Sequence, residues 1–438
     1  MWLFPPSARL PGSAIGYTPE NILVKPGTVD MGRVGRHFQF RRAGQKLSRI
    51  MGGLSMDFTW TEENDAFRAR VRDFLDRELP TNWDEIARHG PGSREQTEFS
   101  LEFCPKLAEA GLLVPHWPAE WGGADRPTWE HFIMGEEMWA VGEPRGGQYM
   151  NVNWIGPVLM RYGSDAQKAQ YLPEMAAGRA IWCQGFSEPG AGSDLASLRT
   201  KAIRDGDDYV INGQKIWTSY AGMADTCFLL ARTGGADQGR SAIAIFLVPM
   251  DTPGIEVRAI PSLIGHGDIH EVFFTDVRVP ASCRLGEEGE GWTIISYALA
   301  NERVGIPRYE MSSQVLDLMV GELKARGAFG NAIVRAKAAE AAAACEAARL
   351  LVYRVVDERA RGVPPGTAAN LARVAVVEAD HAVTDFGMDF LPDCFSGDGH
   401  AGMLAHHERA IVTGIAAGAA EIQLNLVARR HLDLPKGA

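Results

Sequence analysis

The sequence predicts an α+β protein in which a helical segment, a β-rich segment and a second helical segment follow one another. Three observations predict it. Between residues 61 and 177 apolar residues recur at helical spacing. Between about 180 and 285 the period falls towards two, and after Gly291-Trp292 helix-patterned, partly Ala-rich sequence resumes. Helices, then strands, then helices is the signature of separate layers rather than of a doubly wound sheet. At 438 residues the chain can bury a large core and is expected to hold two or three domains.

Residues 1–55 stand apart. They are rich in Pro, Gly and Arg, lack helical periodicity and carry eight Lys/Arg against Glu20 and Asp30. They read as a disordered tail, or as a start codon placed too early, since Met51 and Met56 both precede a clean beginning; an Arg-rich, acid-poor targeting peptide is the alternative. From Met56 the pattern changes, and a helical domain is expected over 56–178. Thr61 caps a helix with Glu62 and Glu63 in its first turn, and Phe67, Val71, Phe74 and Leu75 follow at helical spacing up to Pro80. Leu101, Cys104, Leu107 and Ala108 mark a second helix before Gly111. Trp117 to Gly123 forms a turn-rich loop, and helices are expected over 129–141, around 151–162 and over 165–177. A β-domain is expected over 179–288, with strands at Thr226–Ala231, Ala242–Val248, Ile255–Ala259 and Glu271–Val277. Tyr209 to Trp217, with Asn212-Gly213 inside, reads as two short strands around a tight turn. The helical remainder, 289–438, includes an Ala-rich helix over 332–361 that stops at Gly362 before Pro364-Pro365, and helices near 368–391 and 404–432.

Composition removes several classes of function. Hydrophobic residues make up 46% and charged residues 23%, an ordinary globular balance. A net charge of −11 gives nucleic acid no electrostatic footprint, and no apolar run is long enough to span a membrane. The six cysteines are scattered without a C-x-x-C, which suits free thiols in a reducing, cytoplasmic setting. No His/Cys spacing argues for a metal; His381, His400, His406 and His407 read as surface or satisfied core histidines.

Two motifs carry the chemistry. The first runs Phe186-Ser187-Glu188-Pro189-Gly190-Ala191-Gly192-Ser193-Asp194, and the second Gln214-Lys215-Ile216-Trp217-Thr218-Ser219. A Gly-rich loop and an aromatic–hydroxyl pair on one β-layer suit a planar ligand. Read blandly, Trp217 is a strand core residue and Ser193-Asp194 a helix cap. Together, in this order, they resemble the acyl-CoA dehydrogenase family, with its Ser/Thr-Glu-Pro-Gly-Ala-Gly-Ser-Asp and Lys-x-Trp-x-Ser/Thr segments. The resemblance extends over 57–436 and implies an acyl-CoA dehydrogenase-like fold: an N-terminal helical domain, a middle β-domain and a C-terminal four-helix bundle. It implies FAD, held by Gln184, Phe186, Ser187, Trp217, Thr218 and Ser219, with Trp217 packed on the ring and Ser219 near N5. Ser193 would lie by the flavin or the pantetheine arm. Arg326, in an Arg-x-x-Phe-Gly turn completed by Phe329 and Gly330, would meet the FAD pyrophosphate from a neighbouring subunit, and Gly418 would also touch the cofactor.

The base is where the chain departs from the family. Most members place a glutamate in a Tyr-Glu-Gly-Thr-Ser-Glu-Ile-Gln segment; here the matching stretch is Ala416 to Gln423, and Ala417 stands at the catalytic position. A minority carry the base on another helix, immediately before an Arg. Here Glu302-Arg303 stands at that place, early in the first C-terminal helix, and resemblance makes Glu302 the candidate base, with Arg303 and the Ala417 backbone toward the thioester. The bland alternative for Glu302 is an exposed first-turn acid; Glu421 is read as ordinary helix surface. Asp389 to Gly399 does not match the family's adenosine-contacting loop.

By this resemblance the activity is oxidation of an acyl-CoA to a 2-enoyl-CoA, with electrons leaving to an electron-transfer flavoprotein. The assembly expected is a homotetramer, or a heterotetramer with a paralogous subunit. A bulky, branched, steroid side-chain or dicarboxylate acyl group is the expected substrate. The rival readings are a non-catalytic partner subunit and a flavin-dependent monooxygenase on the same fold.

Overall fold

The structure, a computed structural model, describes residues 60–435 except 89, 264–268, 304–306, 364–365, 397–399 and 417. The 1–55 segment and Ala417 therefore lie outside the described residues. The chain from Trp60 onward forms one compact unit.

The helical start follows the sequence closely. Helix α1 (Glu62–Glu78) opens on the Thr61 hydroxyl, which accepts from Asn64 N at 3.1 Å. The short α2 (Trp83–Ala87) and α3 (Arg94–Glu109), capped by Ser93, come next. Helix α4 (Thr128–Ala140) is almost wholly enclosed. Then α5 (Gln148–Met150), a π-helical turn (Asn151–Ile155) and α6 (Gly156–Tyr162) run without a break, followed by α7 (Asp165–Ala176), which carries a capping box at Ser164 and Gln167.

The β-domain is one eight-stranded sheet of β1 (Trp182–Gly185), β2 (Lys201–Asp205), β3 (Asp208–Ser219), β4 (Thr226–Arg232), β5 (Ile243–Pro249), β6 (Ile255–Ala259), β7 (Ile269–Pro280) and β8 (Arg284–Leu285). Its order is β6-β7-β3-β2-β4-β5-β8, with β1 parallel to β4. Strand β4 is buried on both faces: Phe228 and Leu230 join the core shared with the N-terminal helices, while Cys227, Leu229 and Ala231 point to the opposite core. A strand covered on both sides is an apolar run, and this one reads so in the sequence.

One expectation fails here. Asn212-Gly213 makes no hairpin turn, because β3 runs unbroken from Asp208 to Ser219 against β7, with a register shift at that dipeptide. Gly213 is required by crowding instead: a Cβ there would lie 2.4 Å from the Thr200 hydroxyl oxygen.

The C-terminal part holds α8 (Gly291–Arg303), α9 (Tyr309–Ala325), α10 (Ala332–Ala360), α11 (Thr367–Phe390), α12 (Ala401–Thr413) and α13 (Ala420–Arg430). Ala338, Ala341 and Ala348 of α10 are buried against α9 and α11 in a separate core. The single helix expected over 404–432 is two helices. The break between them contains Gly418 at φ +93°, a conformation that ends a right-handed helix, and the Arg373 guanidinium holds the turn through the Ala416 carbonyl at 2.7 Å.

Candidate active site

The β-side of the site is built where β1 ends. Glu188 and Ala191 exchange both backbone hydrogen bonds, each 3.0 Å, so that Glu188-Pro-Gly-Ala191 is a closed turn. The Glu188 carboxylate is buried and folds back to accept from Lys215 Nζ at 2.8 Å, Arg199 N at 2.6 Å and Thr200 N at 2.9 Å. Burial works against its charge, but the Lys215 ammonium and these donors override that and hold Glu188 below its ordinary range. Lys215 is fully enclosed and also donates to the Phe186 carbonyl at 3.1 Å, while Ile216 N donates to Ser187 O at 2.9 Å. Two residues that the sequence offered only as letters of the motifs thus clasp the two motifs together.

Beyond the clasp, β3 bulges between Lys215 and Thr218, and Trp217 sits at φ +60° with 59% of its surface exposed. Trp217 is thus no core residue of the strand. A bulky residue in the left-handed region with its ring in solvent is costly and points to function. Buried polar atoms without a protein partner accompany it: Thr218 Oγ1 and Gln184 Nε2. Ser219 ends β3 opposite Ile269 and is half-buried. Ser193 is exposed on the loop, and the Phe186 ring packs in the core 5.9 Å from Phe228.

The helical side is organised by the π-helical turn. Trp117, from the loop before α4, donates through Nε1 to Val152 O at 3.2 Å and presses on Gly156, where a Cβ would lie 2.2 Å from its ring. Asn151 Nδ2 donates to Ala180 O at 2.7 Å, joining the turn to the segment that leads into β1. Such turns within helices often mark functional sites; nothing in the spacing of apolar residues announces this one. Tyr149, one turn earlier, packs edge-on to Trp139 and Trp154 and under the Arg145 guanidinium. Burial raises the Tyr149 hydroxyl well above its usual range, and the charges of Glu143 and Glu302 push it further.

Glu302 is therefore near Tyr149, and it is partly buried. It does not lie early in its helix as expected. Helix α8 begins at Gly291, so Glu302 comes about three turns in and has no first-turn dipole to account for it. Its neighbour Asn301 accepts from Arg359 Nη2 at 3.0 Å. Arg359, in turn, lines a cavity of about 30 Å³ together with His131, Arg145, Tyr149 and Asn153. His131 stacks on His116 with centroids 3.5 Å apart. Burial first, then the charges of Arg145 and Arg359, push His131 down to about 3, so the pair is neutral. Arg359 and the histidine pair were missed in the sequence.

Other candidates lie elsewhere. Arg326 is exposed at the end of α9, where it grips Asp393 with both Nη atoms at 2.8 Å and Glu322 through Nε at 2.7 Å. Asp393 belongs to the very segment that departs from the family's adenosine loop. Arg303 is the last residue of α8. Among the described residues no cluster of three or more His, Cys, Asp or Glu could hold a metal, and all six cysteines are free thiols.

Sequence models described as acyl-CoA dehydrogenase N-terminal, middle and C-terminal domains match residues 61–179, 183–277 and 289–432. The chain belongs to the acyl-CoA dehydrogenase family. Acyl-CoA dehydrogenase IpdE1 of Mycobacterium tuberculosis is 32% identical over 386 residues, covering 86% of this chain and 99% of the relative. The solved structure described as "Tcur3481-Tcur3483 steroid ACAD" is similar at a TM-score of 0.80 with 29% identity, over 87% of this chain and 100% of that one. The ChsE4-ChsE5 complex from Mycobacterium tuberculosis follows at 0.78 and 27%, over 87% and 100%. This acyl-CoA dehydrogenase family member is thus an oxidoreductase with the family's three-part fold, helical, sheet and helical. No helix among its described residues is long and apolar enough to cross a membrane.

Proposed function

We propose that this acyl-CoA dehydrogenase binds FAD and oxidises an acyl-CoA thioester to the 2-enoyl-CoA, with Glu302 as the base. The residues fit a flavin: the exposed, strained Trp217 offers a ring face, and Thr218 Oγ1 and Gln184 Nε2 are buried polar atoms without a protein partner. In this reading Ser187 and Ser219 would complete the polar edge, and Ser193, Arg303 and the Ala417 backbone would meet the substrate. FAD, when bound, supplies the acceptor for the hydride leaving Cβ. Glu302 takes the proton from Cα, and the electrons of the broken C–H bond form the double bond as the hydride departs.

The observation that carries this reading is the place of Glu302, a partly buried carboxylate beside Tyr149 in a chain whose other candidate position is alanine. Anaerobic flavin bleaching by acyl-CoA esters tests it. Wild-type protein should bleach and Glu302→Gln should not; equal bleaching by both would remove Glu302 from the mechanism. An electron-transfer flavoprotein is the proposed acceptor, and the proposed assembly is a tetramer, either of one chain or with a paralogous subunit.

The grip of Asp393 on Arg326 favours the mixed tetramer as a second reading, because a pyrophosphate would have to displace a bidentate carboxylate from this chain's own surface. If Asp393→Ala raised FAD retention by the chain expressed alone, the mixed assembly would not be needed to explain cofactor binding.

A further inference from the structure

The arginines at the end of α10 behave differently from one another. Arg354 pairs with Glu358 at 3.0 Å and Arg361 with Asp357 at 2.6 Å, both on the outer face. These two arginines take both acids of the stretch. Arg359 lies between them, turns inward and lines the cavity, with the neutral Asn301 carbonyl as its hydrogen-bond partner. Among the described residues no carboxylate lies within ion-pair distance of it. The dipole of α10 accounts for a cation in the last helical turn, but not for one turned away from water.

The surroundings add to the demand for an anion. Arg145, across the cavity, is neutralised by Glu143 at 2.5 and 2.6 Å, and the His116–His131 pair is uncharged, so Arg359 keeps an unbalanced positive charge. Burial depresses the Arg359 guanidinium, with only Tyr297 opposing it. His131 Nδ1 is buried without a partner. The cavity, of about 30 Å³, has room for a small terminal group in front of Arg359. An unpaired, partly desolvated guanidinium facing such a space is the fork that fits a carboxylate.

We propose that Arg359 and its cavity recognise a second carboxylate at the far end of the acyl group, making the substrate a dicarboxylyl-CoA thioester. The proposal deepens the dehydrogenase reading and rests on it, since Asn301 ties Arg359 to the residue beside the candidate base. Arg359 would set specificity and would not take part in the chemistry.

Calorimetric titration of Glu302→Gln protein, which binds without turnover, provides the test. Glutaryl-, adipyl- and suberyl-CoA are compared with pentanoyl-, hexanoyl- and octanoyl-CoA, pairs that differ only at the terminal group. At least one dicarboxylyl ester should bind about tenfold more tightly than its monoacyl partner. Adding Arg359→Gln should erase that preference while monoacyl binding persists, and Arg359→Lys should restore part of it. Equal binding within every pair, or equal weakening of both members by Arg359→Gln, would overturn the proposal. If Arg359→Gln does not fold, Gly135→Val, which narrows the cavity from α4, replaces it with the same expectation. The binding preference is read without turnover, so a protein that prefers dicarboxylyl esters yet is bleached by none would defeat the dehydrogenase reading instead.

Discussion

Two ionic sites, one buried and one partly buried, flank the candidate active site, and they are built on opposite plans. On the β-side, Lys215 and Glu188 neutralise each other, and the remaining acceptor capacity of the carboxylate is filled by the backbone of Arg199 and Thr200. On the helical side, Arg359 has an amide oxygen and a cavity. A closed pair is complete without ligand, so its work is to shape the two motif loops. An open cation is incomplete, and its environment is satisfied only by something brought from outside. Burial of charge therefore does not mark a ligand site by itself; burial without a partner does.

The largest effect expected on either side belongs to Glu302. Glu302→Gln should lower turnover by about 10²–10⁴-fold, the usual worth of a positioned general base, with little change in melting temperature. A large stability loss with modest kinetic loss would assign Glu302 to the closed, structural class. The closed pair should behave in the reverse way. Lys215→Met leaves Glu188 buried without its counter-charge and should destabilise by about 3–5 kcal/mol in denaturant unfolding. The double variant Glu188→Leu/Lys215→Met should recover much of that loss while FAD binding stays impaired, because the loop would lose its anchoring to β3. Full recovery of FAD binding in the double variant would show that the clasp shapes nothing.

A third ionic site sharpens the comparison through pH. Glu136 accepts from the hydroxyls of Tyr309 at 2.6 Å and Tyr353 at 2.8 Å, Arg68 binds both Glu136 and Glu137, and Glu310 lies within their field. Burial first, then Glu136 and Glu137, raise Glu310 from 4.5 to about 7, with Arg68 and Arg349 opposing. The folded state thus holds a proton that the unfolded chain releases near 4.5. Stability from this group is fully present below that value and is lost as pH rises through 7, at most about 3 kcal/mol in all. Glu310→Gln should flatten the stability profile between these limits; an unchanged slope would place Glu310 outside the network.

How much of this was legible follows from the range of the interactions. The β4 and β5 runs, the α10 stop at Gly362 and the two motifs are local patterns, and each was readable. Asn212-Gly213 was misread because a glycine needed for the approach of Thr200 looks the same in sequence as one needed for a turn. The break after Thr413 carries Gly414 and Gly418, but the helix-compatible Ile and Ala residues between them masked it. Lys215 was seen as a letter of a motif but not as the partner of Glu188, 27 positions away, and Arg359 was missed because its oddness lies in the acids its neighbours take. Glu302 was picked by its Glu-Arg dipeptide, yet its distance from the start of α8 needed the fold.

The smallest stability effect, and the cleanest separation of shape from function, is expected at Trp217. Its φ of +60° costs a bulky side chain about 1–2 kcal/mol, and 59% of its surface is in solvent, so little packing repays that strain in the protein alone. Glycine relieves the strain but adds about 0.5–1 kcal/mol of unfolded-chain entropy. Trp217→Gly should therefore leave the flavin-free protein within about 1 kcal/mol of wild type, on either side, in urea unfolding. FAD affinity, read by fluorescence titration of the same protein, should fall by at least about tenfold, because the ring face is gone. A destabilised apoprotein with unchanged FAD affinity would make Trp217 a packing residue and move the flavin away from the β3 bulge. The opposite result would place the strain of β3 alongside the unpaired charge of Arg359, as two features of the free protein that a ligand resolves.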